Sequence, residues 1–263
     1  MNQPTPPGIE SAFRCEIGAV RERNEDACLT VNLRYGGHFD FRPLGVYVVA
    51  DGMGGQVDGH IASSAAARTF VEFILTNVYF PLLRGRPEPD EARLLDLMDE
   101  AVQTAHEAVY HPETGKNRGT TLTAVVLLGR RLFVAHVGDS RAYLQENGEL
   151  RLLTKDHSLL RRLLDQGRLS DEDARNYQYR NVLLQALGQE VALNTDTFAL
   201  DVPPAGKLLL CTDGLCGYVP EADIASILDQ EGPVQEMADH LFEAAMANGG
   251  EDNITALVVR FVL

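Results

Sequence analysis

Three apolar runs of strand length in this chain each stop at an aspartate beside a glycine: Val46-Tyr-Val-Val-Ala-Asp51-Gly52, Phe133-Val-Ala-His-Val-Gly138-Asp139 and Leu208-Leu-Leu-Cys-Thr-Asp213-Gly214. Such runs read as buried strands. Each would deliver a carboxylate to the rim of a sheet, where the glycine lets another group approach the backbone closely. One Asp-Gly pair is ordinary turn chemistry, but three after apolar runs form a pattern. Two more carboxylates stand in similar company: Asp252 in Gly249-Gly-Glu-Asp-Asn-Ile-Thr255, where a loop enters the last apolar run, and Asp26 after Arg21-Glu-Arg-Asn-Glu25.

Strand-like segments run from Gly45 to Ala50, Thr121 to Leu128, Arg131 to Val137, Arg141 to Gln145, Lys207 to Thr212 and Ile254 to Val262. Asn147-Gly148, between Arg141–Gln145 and Leu150–Leu153, predicts a hairpin and hence antiparallel sheet. Helical spacing predicts helices over His60–Tyr79, with Ala65, Ala66, Phe70, Phe73 and Ile74 on one side, and over Glu91–Tyr110 and Val234–Asn248. Pro233 and Gly249-Gly250 bracket the last of these as start and stop signals. Shorter helices fit Ser158–Gln166 and Ser170–Asn176, the second N-capped by Ser170 with Asp173 three residues on. The class is α+β. The 263 residues form one expected domain, with an apolar share of 45% to supply its core.

Several carboxylates at one rim repel each other unless they share a cation. Oxygen ligands without thiolate or imidazole favour Mg²⁺ or Mn²⁺ over Zn²⁺. Two such ions can activate a bridging water for in-line attack on phosphorus, a phosphatase plan without a covalent intermediate. Rival motifs fail. In His106-Glu-Ala-Val-Tyr-His111 the second histidine is five residues on, off the face a zinc helix needs. Gly52-Met-Gly54-Gly55 has Val57 where a dinucleotide fold wants its third glycine. Neither a Gly-x-Ser-x-Gly elbow nor a Walker loop occurs. The four cysteines, Cys15, Cys28, Cys211 and Cys216, include no Cys-x-x-Cys pair and read as reduced and structural.

In order, Gly18-Ala-Val-Arg21-Glu-Arg-Asn24-Glu25-Asp26, Val49-Ala-Asp51-Gly52-Met-Gly-Gly55, Gly119-Thr-Thr-Leu-Thr-Ala124, Val137-Gly-Asp139-Ser-Arg141, Leu153-Thr-Lys-Asp-His157-Ser158, Cys211-Thr-Asp213-Gly214-Leu215 and Asp252-Asn253-Ile-Thr255 resemble the motifs of bacterial metal-dependent protein phosphatases of the protein phosphatase 2C (PPM) type. The resemblance covers Gly18 to the C-terminus, with residues 1–8 as a flexible lead-in. It implies two antiparallel sheets sandwiched together and flanked by helices on both sides, with the metal site at one edge. Asp51 would bridge two ions, the Gly52 carbonyl would bind one of them, and Asp213 and Asp252 would hold the other. Asp139 with Asp213 would take a weaker third ion. Glu25 and Asp26 would act through metal-bound waters, and Arg21 would grip the substrate phosphate. The implied substrates are phosphoserine and phosphothreonine proteins, and the implied partner is a cognate Ser/Thr kinase.

Two positions depart from the pattern. Met53 replaces the histidine that follows Asp-Gly in animal relatives, and Leu184-Gln185-Ala186 stands where Thr-Arg-Ala is commoner, next to a flap over Leu159–Tyr179 that borders the cleft in relatives. His136 and His157 read as structural. The other function to weigh is an inert phosphoprotein-binding relative; such proteins usually lack a ligand, whereas Asp51, Asp213 and Asp252 are all present. A net charge of −15, without a basic stripe, excludes a nucleic-acid partner. With neither a signal peptide nor a long apolar run, the expectation is a cytoplasmic protein off the membrane, and it is expected to be a monomer.

Overall fold

The long apolar runs belong to strands covered on both faces, so alternate residues enter different cores. In β3 (Leu44–Met53), Val46, Val48 and Ala50 point into a helix-facing core, while Tyr47 and Val49 point into a core between two sheets. The computed structural model describes residues 8–33, 43–53, 58–110, 118–174, 177–179, 181–189 and 192–263. The lead-in at residues 1–7, Gly54, Gly55, Val57, His111 and Asn176 lie outside the described residues. Gly8, included in the expected lead-in, already pairs with Val262.

The other strands are β1 (Gly8–Glu16), β2 (Asp26–Leu33), β4 (Gly119–Thr120), β5 (Leu122–Leu128), β6 (Arg131–Val137), β7 (Arg141–Glu146), β8 (Glu149–Leu152), β9 (Asp196–Asp201), β10 (Ala205–Cys211) and β11 (Ile254–Val262). Helices are α1 (Gly59–Ile74), α2 (Phe80–Leu83), α3 (Glu91–Val109), α4 (Leu159–Asp165), α5 (Asp171–Ala174), α6 (Asp213–Cys216), α7 (Glu221–Asp229) and α8 (Val234–Ala247), with a π-helical turn at Leu75–Tyr79 linking α1 to α2. One sheet has the order β1-β11-β10-β7-β8; the other has β2-β3-β5-β6-β9, with β4 also on β3. All pairs are antiparallel.

α1 and α3 cover the second sheet and bury Ala66, Phe70, Ile74, Leu97 and Val102 against it. α8 and α7 cover the first and bury Met237, Leu241 and Ile224. Leu208, Leu210, Leu257, Val259 and Phe261 meet Tyr47, Val125 and Leu127 between the sheets. The layers are therefore α/β/β/α. The Asn147-Gly148 hairpin is present with positive φ at both residues, 52° and 81°, as a two-residue turn of matching twist requires. Ser170 caps α5 as expected: its hydroxyl accepts from the Asp173 N–H at 3.2 Å and donates to the Asp173 carboxylate at 2.6 Å. Seven segments go beyond the sequence expectation: β1, β2, β4, β9, α2, α6 and α7.

Candidate metal centre

The strands end so that both sheets contribute to one rim. Asp51, near the end of β3, is the register partner of Asp26, the first residue of β2. Asp213 opens α6 just after β10, Asp252 precedes β11, and Asp139 lies in the turn between β6 and β7. A cleft of about 310 Å³ is lined by Arg21, Glu25, Asp51, Gly52, Met53, Asp139, Asn181, Leu183, Asp213, Asp252 and Asn253. Seven of the eight sequence-selected site residues thus meet in one cleft.

Asp26 is the exception. It stands behind the cleft, 8% exposed, and its Oδ2 accepts from the Thr212 and Thr255 hydroxyls at 2.8 and 2.6 Å. Asp26 belongs to one sheet; Thr212 follows β10 and Thr255 lies in β11 of the other. This carboxylate therefore clasps the two sheets together beneath the site.

The backbone of Asp51 is held by the Gly119-Thr-Thr motif, a support the sequence reading left without a role. The Asp51 N–H donates to Thr121 Oγ1 at 2.8 Å, and its carbonyl accepts from the Thr121 N–H and the Thr120 hydroxyl, both at 2.9 Å. Thr121 Oγ1 also meets Ser140 Oγ at 2.7 Å, which ties Asp51 to the turn that carries Asp139. The Gly52 N–H donates to the Glu25 carbonyl at 3.1 Å, and Ser63 Oγ donates to the same carbonyl at 2.6 Å.

Gly52 has no room for a side chain. A Cβ there would lie 2.2 Å from the Gly59 carbonyl oxygen and 2.5 Å from that of Glu25, both backbone atoms that cannot swing aside. Gly52→Ala should therefore destabilise the protein by about 1–3 kcal/mol, the usual range for overpacking. A lowered urea midpoint at unchanged slope checks this, and a midpoint equal to wild type refutes it.

The cleft carboxylates are poorly placed for ionisation on their own. Burial, followed by repulsion from neighbouring aspartates, raises Asp51 and Asp139 well above the ordinary carboxylate range and raises Asp213 as well. Asp26 is pushed up to about 7 by burial, against the two threonine hydroxyls that favour its charged form. Asp213 is among the charges that repel the Asp51 carboxylate. Asp213 Oδ1 is buried with no hydrogen-bond partner among the described residues. Arg21 Nη2 pairs with Asp252 Oδ2 at 2.7 Å, and this partner raises the arginine further above its ordinary value.

An orphaned carboxylate oxygen, several buried aspartates that repel one another and a glycine at the same wall are what a divalent cation would satisfy, so the residues fit such an ion. Among the described residues no three His, Cys, Asp or Glu side chains form a ready-made metal cage. An ion here would complete its shell with backbone carbonyl oxygen and water, as hard cations do.

The histidines are engaged elsewhere. His136 is fully buried between the Thr123 hydroxyl, 2.9 Å from Nδ1, and the Lys155 carbonyl, 3.1 Å from Nε2. Burial brings it down to about 4, so it is neutral. His157 Nδ1 accepts from the Gly138 N–H at 3.3 Å, and its Nε2 lies 3.1 Å from Asp196. All four cysteines are free. Gln185 Oε1 accepts from the Asn194 N–H at 3.3 Å. The segment over Leu159–Tyr179 contains α4 and α5, and its Leu160 and Ala174 help to line a recess of about 290 Å³ that shares Asp139, Asn181 and Asp213 with the cleft.

Four α/β/β/α layers with an acidic cleft at the common rim of both sheets define the PPM class of sandwich. The family model for protein phosphatase 2C matches residues 20–257, and the chain belongs to that family. It is 38% identical over 257 residues to the serine/threonine phosphatase stp of Listeria innocua, covering 95% of each chain. Among solved structures it resembles a Streptococcus agalactiae serine/threonine phosphatase, with TM-score 0.82 and 29% identity over 97% of this chain and 100% of that one. It also resembles the catalytic domain of the serine/threonine protein phosphatase PstP in complex with two manganese ions, with TM-score 0.78 and 32% identity over 97% and 99% of the two chains.

Proposed function

We infer that this chain is a metal-dependent protein phosphatase that hydrolyses phosphoserine and phosphothreonine in proteins. The observation that carries the reading is the set of buried carboxylates from both sheets converging on one cleft with an arginine at its mouth. Asp51 would be shared by two ions, with Gly52 contributing its carbonyl to one and Asp213 and Asp252 serving the other. Asp139, beside Asp213, would take a third and weaker ion. Mn²⁺ and Mg²⁺ both suit these oxygens. When bound, such ions supply Lewis acidity and an activated water for in-line attack on phosphorus.

The chain's own residues do the rest. Arg21 is half exposed and lies in the cleft lining, so its guanidinium can turn from Asp252 to two phosphate oxygens in a bidentate contact. Glu25 lines the same wall as Gly52 and orients water there, while Asp26 acts from behind through the two threonines it holds. Met53 has no proton to give and both motif histidines are engaged, so the departing seryl or threonyl oxygen takes its proton from water. An inert binding protein is disfavoured because every acidic position is filled.

We further place the enzyme opposite a Ser/Thr kinase in the cytoplasm, as a monomer and a single phosphatase domain. Among the described residues no helix is long and apolar enough to cross a membrane. The test is hydrolysis of p-nitrophenyl phosphate and of phosphoserine, phosphothreonine and phosphotyrosine peptides. Turnover should need Mn²⁺ or Mg²⁺, vanish with chelator, return on adding metal, and favour the first two peptides. No metal-dependent turnover would overturn the reading.

A further inference from the structure

The loop that carries Arg21 and Glu25 is fastened at both of its ends by one side chain from another part of the chain. Asn253 is 5% exposed and follows Asp252 at the start of β11. Its Nδ2 donates to the Ile17 carbonyl at 3.1 Å and to the Arg23 carbonyl at 2.9 Å. Its Oδ1 accepts from the Glu25 N–H at 2.8 Å. These partners fix the orientation of the amide, because two are acceptors and one is a donor. Both ends of the Arg21 loop thus rest on one NH₂ group, and the backbone of Glu25 rests on the oxygen beside it.

The same residue reaches the other wall of the cleft. Its own N–H donates to Asp252 Oδ1 at 2.8 Å, which leaves Oδ2 for Arg21. Its carbonyl oxygen sits so close to Gly214, the neighbour of Asp213, that a Cβ there would lie 1.9 Å away. Loop 17–25 has further support at its early part from the Ala19 N–H on the Gly250 carbonyl at 2.7 Å and the tight approach of Gly18 to the Asp252 carbonyl, and at its far end from the Gly52 N–H and the Ser63 hydroxyl on the Glu25 carbonyl; unlike the Asn253 amide, none of these bonds reaches both ends.

We propose that Asn253 is the positioning residue that sets Arg21, Glu25 and Asp252 at their spacing in the cleft, so that metal affinity and phosphate grip depend on its amide. The inference rests on the metal-dependent phosphatase reading. Only an amide supplies two donors and an acceptor from one branched tip: aspartate lacks the donors, and serine and threonine lack the reach. Partners that orient a ligand without touching the ion typically matter 10–100-fold in metal affinity.

The test is Mn²⁺ binding by calorimetry without substrate, on wild type, Asn253→Ala and Asn253→Asp, with backbone hydrogen exchange followed by mass spectrometry. Asn253→Ala should weaken Mn²⁺ about 10- to 100-fold and speed exchange in segment 17–25 while β10 and β11 stay protected. Asn253→Asp keeps the acceptor for Glu25 and adds a negative charge. Charge alone would strengthen cation binding, so the proposal expects weaker binding from lost placement, which also decides the matter should the alanine variant fail to fold. Arginine placement is read separately: KM for p-nitrophenyl phosphate should rise at saturating Mn²⁺. Affinity within twofold of wild type, or tighter binding in Asn253→Asp, overturns the proposal. Absence of Mn²⁺ binding in wild type would instead sink the phosphatase reading beneath it.

Discussion

Asp51→Asn should lower Mn²⁺-dependent turnover by about 10³-fold or more, the upper scale for losing one preorganised electrostatic contact at a reacting centre, while making the metal-free protein more stable. The two effects share a cause. Asp51 sits among Asp26, Asp213, Asp139 and Asp252, and burial with repulsion from these groups holds it well above the ordinary carboxylate range. An asparagine is neutral and nearly isosteric, so it removes one of the mutually repelling buried charges and can donate a hydrogen bond where the carboxylate cannot. Its backbone bonds to Thr120 and Thr121 do not involve the side chain and should persist. The measurements are kcat/KM with saturating Mn²⁺ and a thermal melt with chelator at pH 8. For a chain of this size each kcal/mol gained raises the melting temperature by roughly 2–4 °C. A variant that keeps turnover, or one that loses stability along with activity, would refute the assignment of Asp51 as the shared ligand.

The parts of this fold legible in the sequence were its inner strands. β3, β5, β6, β10 and β11 are covered on both faces, so they read as unbroken apolar runs whatever surrounds them. β1, β2 and β9 are edge strands with half-buried, mixed sequences such as Gly-Ile-Glu-Ser-Ala-Phe-Arg-Cys-Glu, and β1 and β9 pair with β11 and β6, far from them in sequence. α7 carries little periodic signal because only Ile224 and Leu228 are buried in its nine residues. The site divides the same way. Asp51, Asp139 and Asp213 announce themselves because a carboxylate ending an apolar run must emerge at a rim. Asn253 and the Thr120–Thr121 pair act through hydrogen bonds to backbone groups far along the chain, and nothing in local pattern records such bonds. Asp26 shows both sides of this. Its type and neighbours marked it as important, yet its place behind the cleft depends on Thr212 and Thr255, which only the packing of the two sheets brings to it.

The metal-free protein should be more stable at pH 6.5 than at pH 8.0, and Mn²⁺ should raise its melting temperature more at the higher pH. Asp26 in the folded chain ionises at about 7, against 3.8 for an unperturbed aspartate. Between those values the unfolded chain has lost its proton and the folded chain keeps it, so raising the pH through this window favours unfolding. Above the folded value the loss is complete, at about 1.36 kcal/mol per unit of difference. Asp51 and Asp139, held well above the ordinary value, and Asp213, raised as well, push in the same direction and extend the loss upward. His136 works the opposite way: lowered to about 4 by burial, it costs stability as pH falls below the ordinary imidazole value of 6.5. The comparison therefore starts at pH 6.5, where that cost is small. A divalent cation replaces the protons that the cluster holds, so binding should release protons, about one or more per chain near pH 6.5, and stabilisation by Mn²⁺ should grow as fewer protons compete. Melts with chelator and with Mn²⁺ at the two pH values, together with calorimetry in buffers of different ionisation enthalpy, measure both quantities. A metal-free melting temperature that rises toward pH 8.0, or a Mn²⁺ shift that is equal at both, would mean that the buried aspartates are not the groups the cation meets.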